Sequence, residues 1–262
     1  MANEILYVIA AWGGPRRTRV PEYDRDRSFF LRTHLEQVAD LSHDCEVLVV
    51  NNVGEQPFPG YAEYLAALPE GITLVHRPNI GMSYGAWSEA YGLYRDQFRY
   101  YLLMEDDYVP TLDHFDTLLR DLLEERGLDY LGGYYDRKGP FPPHMGCSCG
   151  LVRQTALERV WLRYGRLPHP PNSVYGQVEQ QGQVALGQAL LQTGGTLGDY
   201  TDVYATPYFG QAGNIRTLGT GRPLIVPVPM LTRTPELARD RLRQAAVPLP
   251  EEAPDPDRGT PL

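Results

Sequence analysis

Apolar and polar positions alternate in blocks along the first half of the chain. Short apolar runs such as "ILYVIAAW" and "CEVLVVNN" are bounded by polar residues, a pattern typical of buried strands. Between these two runs, "SFFLRTHLEQVADL" has apolar residues every three or four positions, which predicts an amphipathic helix that Ser28 could cap. The same reasoning predicts strands at "ITLVHR" and "YYLLM" and helices at "GYAEYLAALPEG", "SYGAWSEAYGLYRDQF" and "TLDHFDTLLRDLLEER", with Thr111 able to cap the last. Alternating strands and helices predict an α/β fold: an open mixed, mostly parallel sheet flanked by helices on both faces.

The second half of the chain is less regular. It contains two further predicted strands, "DYLGGYYD" and "CSCGLV", and two predicted helices, "TALERVWLRYG" and the glutamine-rich "QVEQQGQVALGQALLQTGG". We therefore expect one domain over residues 1–243, with a first half at 1–125 and a second half at 126–243. Residues 244–262 are proline-rich and acidic with few apolar groups, which predicts a disordered tail.

Composition narrows the class of protein. The 262 residues are 42% apolar and 22% charged, as in ordinary globular domains, and no apolar run approaches the roughly 20 residues of a membrane span. The first strand begins almost at once without a basic targeting segment, so we expect a soluble, cytoplasmic protein. The net charge of −9 offers no general attraction for nucleic acid. Cys147 and Cys149 could ligate zinc, but no second Cys or His pair stands at finger spacing.

One segment runs against the acidic balance. Six arginines lie between Arg16 and Arg32, directly after the first predicted strand. A loop at a strand end is where α/β proteins bind ligands, so the cluster is a candidate anion-binding or DNA-binding loop. The alternative is a solvated loop, partly salt-bridged to Glu22, Asp24 and Asp26.

The most informative motif is an acidic triplet. Glu105, Asp106 and Asp107 follow the apolar strand "YYLLM" directly, and Pro110 ends the pairing. Adjacent carboxylates repel one another unless a positive charge lies among them. A divalent cation, which prefers oxygen ligands, would supply that charge, whereas the alternative is a loop of solvated charges.

These elements together resemble a known family. Residues 4–125, roughly, resemble family 2 glycosyltransferases of the glycosyltransferase A (GT-A, Rossmann-like) fold. The resemblance rests on the succession of strands and helices along the chain, on the turn "RPNIGMSYGAW" and on the acidic triplet, which is a Glu-Asp-Asp variant of the DxD metal motif. The resemblance implies a metal-assisted enzyme that moves a sugar from a nucleotide-sugar, expected to be a UDP-sugar, to a hydroxyl acceptor. It also implies Mn²⁺ or Mg²⁺ as the cofactor, and a catalytic domain with its nucleotide-sugar half at 1–125 and its acceptor half at 126–243.

The resemblance implies roles for individual residues. Asp107 would be the direct metal ligand, and Asp106 would assist catalysis through a bridging water or the ribose. Asn51 and Asn52 stand where the family usually has aspartates that contact uracil. The donor-binding set implied by the resemblance is Ala11, Asn51, Asn52, Arg77, Asn79, Gly81, Gly85, Glu105 and Asp106, with Arg77 able to reach a phosphate.

The acceptor side departs from the family pattern. Inverting members carry a Glu-Asp pair whose aspartate deprotonates the acceptor, and here Glu179 is followed by Gln180. Glu179 is the candidate base. The alternative is that Glu179 is only a solvated glutamate at the start of a helix. In that case the base would be Asp199 or Asp202, or the enzyme would use a retaining mechanism without a protein base. His144 and His169 are expected on the acceptor side or as ordinary loop histidines. Lipid-linked, protein, small-molecule and hydroxymethylated-DNA acceptors all stay open.

Two other functions compete with sugar transfer. "WGGPRRTR" is similar to the glycine-rich loop of sugar-nucleotide pyrophosphorylases, a class of nucleotidyltransferase, although Pro15 and Arg16 stand where that loop needs a flexible backbone. The missing aspartate after Glu179 would also suit a non-catalytic nucleotide-sugar-binding relative.

Overall fold

The architecture is a seven-stranded sheet with helices on both faces. The computed structural model describes residues 4–15, 21–41, 45–54, 58, 60–110, 114–136, 141–199 and 231–232. The strands are β1 (Ile5–Ala11), β2 (Cys45–Val53), β3 (Ile72–Pro78), β4 (Tyr100–Glu105), β5 (Val109–Pro110), β6 (Tyr130–Asp136), β7 (His144–Arg153), β8 (Leu197–Asp199) and β9 (Leu231–Thr232). The helices are α1 (Pro21–Arg25), α2 (Phe29–Leu41), α3 (Tyr61–Ala66), α4 (Met82–Tyr94), α5 (Phe115–Glu125), α6 (Gln154–Tyr164), α7 (Tyr175–Val178), a π-helical segment (Glu179–Val184) and α8 (Ala185–Gln192).

The order of strands in the main sheet is β3-β2-β1-β4-β7-β6-β8. Strands β1 to β4 run parallel, β7 is antiparallel to both β4 and β6, and β8 is parallel to β6. A second, two-stranded sheet pairs β5 with β9. The predicted fold class, an open mixed and mostly parallel sheet, is confirmed.

The core lies on both faces of this sheet, as the alternation along β1 requires. Leu6 and Val8 face a cluster with α4, α6 and α8, whereas Ile5, Tyr7 and Ile9 face a cluster with α2, α3 and α5. Successive strand residues point to opposite faces, so an unbroken apolar run such as β1 needs helices on both sides. Every residue of β1 is buried.

Four local features differ from the sequence-based expectations. The short helix α1 lies within the arginine-rich segment, where a loop was expected. Helix α4 ends at Tyr94 because Arg95 is extended and Asp96 has a positive φ of 65°. Helix α5 begins at Phe115 with His114 as its N-cap, so the prediction that Thr111 caps it was wrong. Strand β7 begins at His144, within a segment expected to be a loop.

The glutamine-rich helix was also predicted as one regular helix. It is instead α7, the π-helical segment and α8 in succession. The expected tail and Asp202 lie outside the described residues. Within the part of the chain that the structure describes, no helix has the length and apolar character needed to cross a bilayer.

Candidate functional site

The topology itself points to one end of the sheet. The chain builds β1, β2 and β3 outward in one direction and then returns to place β4 on the other side of β1. In open α/β sheets, ligands bind outside the carboxyl ends of the strands where the order reverses in this way. The crevice between the ends of β1 and β4 is therefore the candidate site, and the acidic triplet lies at the end of β4.

The acidic triplet is tied to the elements around it. The Ser83 hydroxyl of α4 donates a hydrogen bond to Oε1 of Glu105 at 2.6 Å. The backbone N–H of Trp12, just after β1, donates to Oδ2 of Asp106 at 3.0 Å. Asp106 and Asp107 are both buried, with exposed fractions of 2% and 7%. The triplet is thus part of the packed end of the sheet and does not form a loop of solvated charges.

A buried histidine, which sequence reasoning missed, lies behind the triplet. His34 of α2 is completely buried, and its Nδ1 lies 3.2 Å from the backbone oxygen of Asp106. Its Nε2 lies 2.7 Å from the hydroxyl of Tyr7 on β1. Burial lowers the pKa of His34 to about 4, so the imidazole is neutral at physiological pH. The signal was present in the sequence, because His34 lies on the apolar stripe of α2 between Leu31 and Leu35.

The oxygen donors at this end suit a hard divalent cation. Mg²⁺ and Mn²⁺ sites in enzymes with phosphate-containing substrates use one or two carboxylates, with waters and substrate phosphates as the remaining ligands. Among the described residues, no three His, Cys, Asp or Glu side chains are grouped to hold a metal by themselves. Two buried aspartates at a strand end therefore fit a cation that is shared with a diphosphate, and do not form a complete protein cage.

The two asparagines that end β2 point to opposite faces. Oδ1 of Asn51 accepts a hydrogen bond from the Tyr61 hydroxyl at 3.0 Å, and its amide contacts Nδ1 of His76 at 3.0 Å. Asn52 accepts a hydrogen bond from Nη1 of Arg77 at 2.6 Å and donates weakly to the backbone oxygen of Ala11 at 3.4 Å. The two predicted uracil contacts thus lie on different sides of the strand, each with partners within the protein.

Arg77 bridges β2 to the turn before α4. Besides Asn52, its Nη2 donates to the backbone oxygen of Ile80 at 2.9 Å. The side chain is buried, with 9% exposed, and desolvation by burial lowers its pKa. Its two hydrogen bonds give the guanidinium a structural role within the protein.

The turn at the start of α4 is built on two glycines. Gly81 has a left-handed φ of 78°, and its N–H donates to the backbone oxygen of Asn172 at 2.9 Å. A Cβ on Gly81 would lie 2.7 Å from Nδ1 of His169, and one on Gly85 would overlap the carbonyl oxygen of Ile80. Asn79 accepts hydrogen bonds from the Ser173 hydroxyl at its backbone oxygen and, at 3.2 Å, at Oδ1. Asn79 and Gly81 thus tie this turn to Asn172 and Ser173.

The candidate base lies on a segment that packs against α4. Glu179 begins the π-helical segment, and its side chain lies outside the described residues. Three residues later, a Cβ on Gly182 would lie 2.5 Å from the ring of Tyr84, so the segment approaches the first turn of α4 closely. Ser83, beside Tyr84, is the residue that contacts Glu105. The backbone of this segment is therefore brought to the helix turn that borders the acidic triplet.

The other acceptor-side residues have protein partners. Oδ2 of Asp199 accepts a hydrogen bond from the backbone N–H of Tyr135 at 2.9 Å. His144 is buried with its Nδ1 2.8 Å from the oxygen of Pro142, and Nδ1 of His169 lies 2.9 Å from the oxygen of Pro170. Burial lowers the pKa of His169, with nearby arginine charge as a smaller cause. All three side chains therefore have hydrogen-bond partners within the protein.

The arginine-rich segment is described only from residue 21 onward. There Arg32 pairs with Asp26 at 2.8 Å and Arg27 with Asp24 at 3.7 Å. Both pairs agree with the alternative that this segment is solvated and partly salt-bridged to its own aspartates. Arg16, Arg17 and Arg19 lie outside the described residues, as does the side chain of Cys147.

Two glycines after β1 have an explanation in aromatic packing. A Cβ on Gly13 would overlap the ring of Tyr61, and one on Gly14 would overlap the indole of Trp12. The hydroxyl of Tyr23 closes this loop by donating to the backbone oxygens of Trp12 at 2.9 Å and Gly14 at 2.6 Å. The glycines thus accommodate rings, and no backbone cradle for a triphosphate is needed to account for them.

Comparisons with known proteins give distant structural neighbours. No protein-family model and no curated protein matches the chain. The structure of TarS from S. aureus has a TM-score of 0.46 at 11% identity, covering 75% of this chain, which spans only 35% of TarS. A cytidylyltransferase from Leptospira borgpetersenii has a TM-score of 0.46 at 15% identity, covering 75% of each chain. A provisionally named nucleotide-diphospho-sugar transferase from Desulfovibrio desulfuricans has a TM-score of 0.47 at 11% identity, covering 76% of this chain and 80% of that one. Likeness at this level does not transfer an activity from one protein to another.

Proposed function

We propose that the chain is a metal-assisted glycosyltransferase of the GT-A type that takes its sugar from a nucleotide-sugar, UDP-sugar being the expected donor. One observation carries the proposal: the acidic triplet, with Asp106 and Asp107 buried, lies at the end of β4, at the position where the strand order reverses. A strand end at this position is where an α/β sheet binds nucleotides, and carboxylates there suit the diphosphate's counter-cation.

In this proposal Asp107 ligates Mn²⁺ or Mg²⁺ together with the diphosphate oxygens. The bound cation would stabilise the negative charge that develops on the leaving diphosphate, without a proton transfer. Asp106 and Glu105 would keep the strand end rigid through their bonds to Trp12 and Ser83. A carboxylate held on a rigid element is better placed to bind a cation than one on a mobile loop.

The acceptor half of the proposal concerns Glu179. As the general base it would take the proton of the acceptor hydroxyl, and the approach of its segment to Tyr84 supports this assignment. An acceptor base in DNA would approach through the arginine-rich segment between Arg16 and Arg32. The Glu179 assignment is tested separately from the donor site, by Glu179→Gln.

The proposal is tested by calorimetry with UDP. We expect UDP to bind with Mn²⁺ present and to bind much more weakly with excess EDTA. Asp107→Asn should abolish the Mn²⁺-dependent gain, because a carboxamide is nearly the same shape but lacks the charge to hold a hard cation. Asp121→Asn is the matched control, since Asp121 lies on α5 with 68% of its side chain exposed. Equal UDP affinity with Mn²⁺ and with EDTA in the wild type would refute the donor assignment.

A further inference from the structure

Three buried residues form a hydrogen-bonded chain beneath the acidic triplet. It runs from the hydroxyl of Tyr7 on β1, through both ring nitrogens of His34 on α2, to the backbone oxygen of Asp106 after β4. Tyr7 and His34 are completely buried, and the ring of Tyr7 also packs edge-on against Phe115 of α5 at 5.6 Å between centroids. Histidine is among the residues that are only intermediate in their tendency to be buried, so its presence on an apolar helix face needs a reason.

The partners fix which nitrogen of His34 carries the proton. A backbone carbonyl only accepts hydrogen bonds, so Nδ1 of His34 must be the donor to Asp106. In the neutral ring the other nitrogen is then an acceptor, and Nε2 accepts from the Tyr7 hydroxyl. Both nitrogens are satisfied by neutral groups, and the chain of bonds has one direction, from Tyr7 to Asp106.

The bond to Asp106 acts on its neighbour. The peptide unit is planar, so the carbonyl of Asp106 lies in one plane with the nitrogen and Cα of Asp107. Holding that carbonyl therefore fixes the direction in which the chain leaves toward Asp107 and the position from which the Asp107 side chain extends. The Asp106 side chain is held independently by the Trp12 N–H at 3.0 Å.

We propose that His34 is a positioning residue for the cation site, which orients the carboxylate of Asp107 through the peptide between Asp106 and Asp107 without touching the cation or the substrate. This inference rests on the proposed function. It adds a second requirement to the proposed function: the cation affinity depends on a hydrogen-bond donor at the Nδ1 position of His34.

Two variants of His34 separate the two ends of the ring. In His34→Asn the side-chain amide lies near the position of Nδ1 and retains a donor for Asp106, but it cannot reach Tyr7. In His34→Gln the amide extends toward the position of Nε2 and retains a partner for Tyr7, but it has no donor at the Nδ1 position. Tyr7→Phe is a third variant, which removes the outer bond and leaves the bond from His34 to Asp106.

The measurement is UDP affinity by calorimetry on the full chain, with MnCl₂ and with EDTA, for each variant. The readout is the ratio of the two affinities, which a general loss of stability does not move. Loss of a residue that orients a ligand typically lowers metal affinity about 10-fold to 100-fold. We expect His34→Gln to lose about 10-fold or more of the Mn²⁺-dependent gain, and His34→Asn and Tyr7→Phe to stay within about threefold of the wild type.

The outcomes distinguish the inference from the proposed function. If wild-type protein shows no Mn²⁺-dependent gain, the proposed function fails. If wild-type protein shows the gain and His34→Gln keeps it, the inference is overturned. If His34→Asn and His34→Gln lose the gain equally, the donor at Nδ1 is not what matters and the inference is again overturned. Should His34→Gln fail to fold, His34→Leu, which fills the site without a donor at the Nδ1 position, takes its place, and retention of the gain in that variant overturns the inference. Loss of the gain in Tyr7→Phe, which keeps the bond from His34 to Asp106, would also overturn it.

Discussion

Gly85 allows a direct test of how the start of α4 is built. The sequence resemblance implied that this glycine lies near the nucleotide, whereas the structure gives it a packing role. A Cβ at this position would overlap the carbonyl oxygen of Ile80 and lie 2.8 Å from Nη2 of Arg77. Gly85→Ala would therefore push apart the two groups that form the 2.9 Å hydrogen bond from Arg77 to Ile80.

The size of the effect follows from three contributions. Alanine is favoured over glycine within a helix by about 1 kcal/mol. Inserting a methyl group into a filled space costs about 1 to 3 kcal/mol. Losing a hydrogen bond from a charged donor costs about 1.5 to 3 kcal/mol. The net destabilisation expected for Gly85→Ala is therefore about 3 kcal/mol, which corresponds to a fall in Tm of roughly 6 to 12 °C for a chain of this size.

The assay is urea and thermal unfolding of the protein without nucleotide or metal. Gly176→Ala is the matched control, because Gly176 lies in α7 and a Cβ there meets nothing within 4 Å. That variant should keep or slightly raise the Tm. If Gly85→Ala is as stable as the wild type and only its UDP affinity falls, the packing argument is refuted and the glycine serves the ligand directly.

Three further predictions concern Asp107, Glu179 and His34. Asp107→Asn should abolish sugar transfer and leave the far-UV circular dichroism and Tm unchanged; activity within a few-fold of wild type would contradict the metal role. Glu179→Gln should lower the transfer rate about 10²-fold to 10⁴-fold at unchanged UDP affinity, as for a lost general base; an unchanged rate would move attention to Asp199. The pKa of His34 is lowered from 6.5 to about 4 mainly by burial, with the Asp107 carboxylate and the backbone oxygens of residues 105 and 106 opposing the shift. The unfolded chain thus binds the proton first, and unfolding in urea with EDTA should lose about 2 kcal/mol of stability between pH 7 and pH 5. This loss should be absent in His34→Asn.

The first half of the fold could be predicted because each element there has a clear period. Strands β1 to β4 are short apolar runs, and α2 has its apolar residues at helical spacing, so local pattern and final structure agree. The position of the acidic triplet followed from the same pattern, since Glu105 is the last residue of β4 and Asp106 and Asp107 come directly after it. Chain order alone then places it at the strand ends.

The second half could not be predicted as well, because its signals are not local. The π-helical segment "EQQGQV" contains one buried apolar residue, Val184, and its shape is matched to Tyr84 through Gly182. The start of β7 at His144 is set by pairing with Asp136 of β6, from which it is separated by a stretch of sequence rich in proline. Neither partner is visible from the segment itself.

The prediction for Asn51 and Asn52 did not take the geometry of a strand into account. Consecutive residues of a strand point to opposite faces, so Asn51 and Asn52 could not both face one base from within β2. Register with β3 sets Asn51 beside His76 and Asn52 beside Arg77, and each asparagine bonds to that neighbour. The alternation rule was available from the sequence, but the partners required the register.

Three of the hydrogen bonds at the end of β4 come from separate parts of the chain. The N–H of Trp12 follows β1, Ser83 lies in the first turn of α4, and His34 reaches from α2 on the opposite face of the sheet. All three end on Glu105 or Asp106. A strand that ends at solvent needs no such partners, because water would satisfy the carboxylates and the carbonyl. Restraining a strand end costs conformational entropy. The restraint favours binding where it holds a neighbouring side chain in one orientation before its ligand arrives. The neighbouring side chain here is Asp107, the residue at which the cation is proposed to bind.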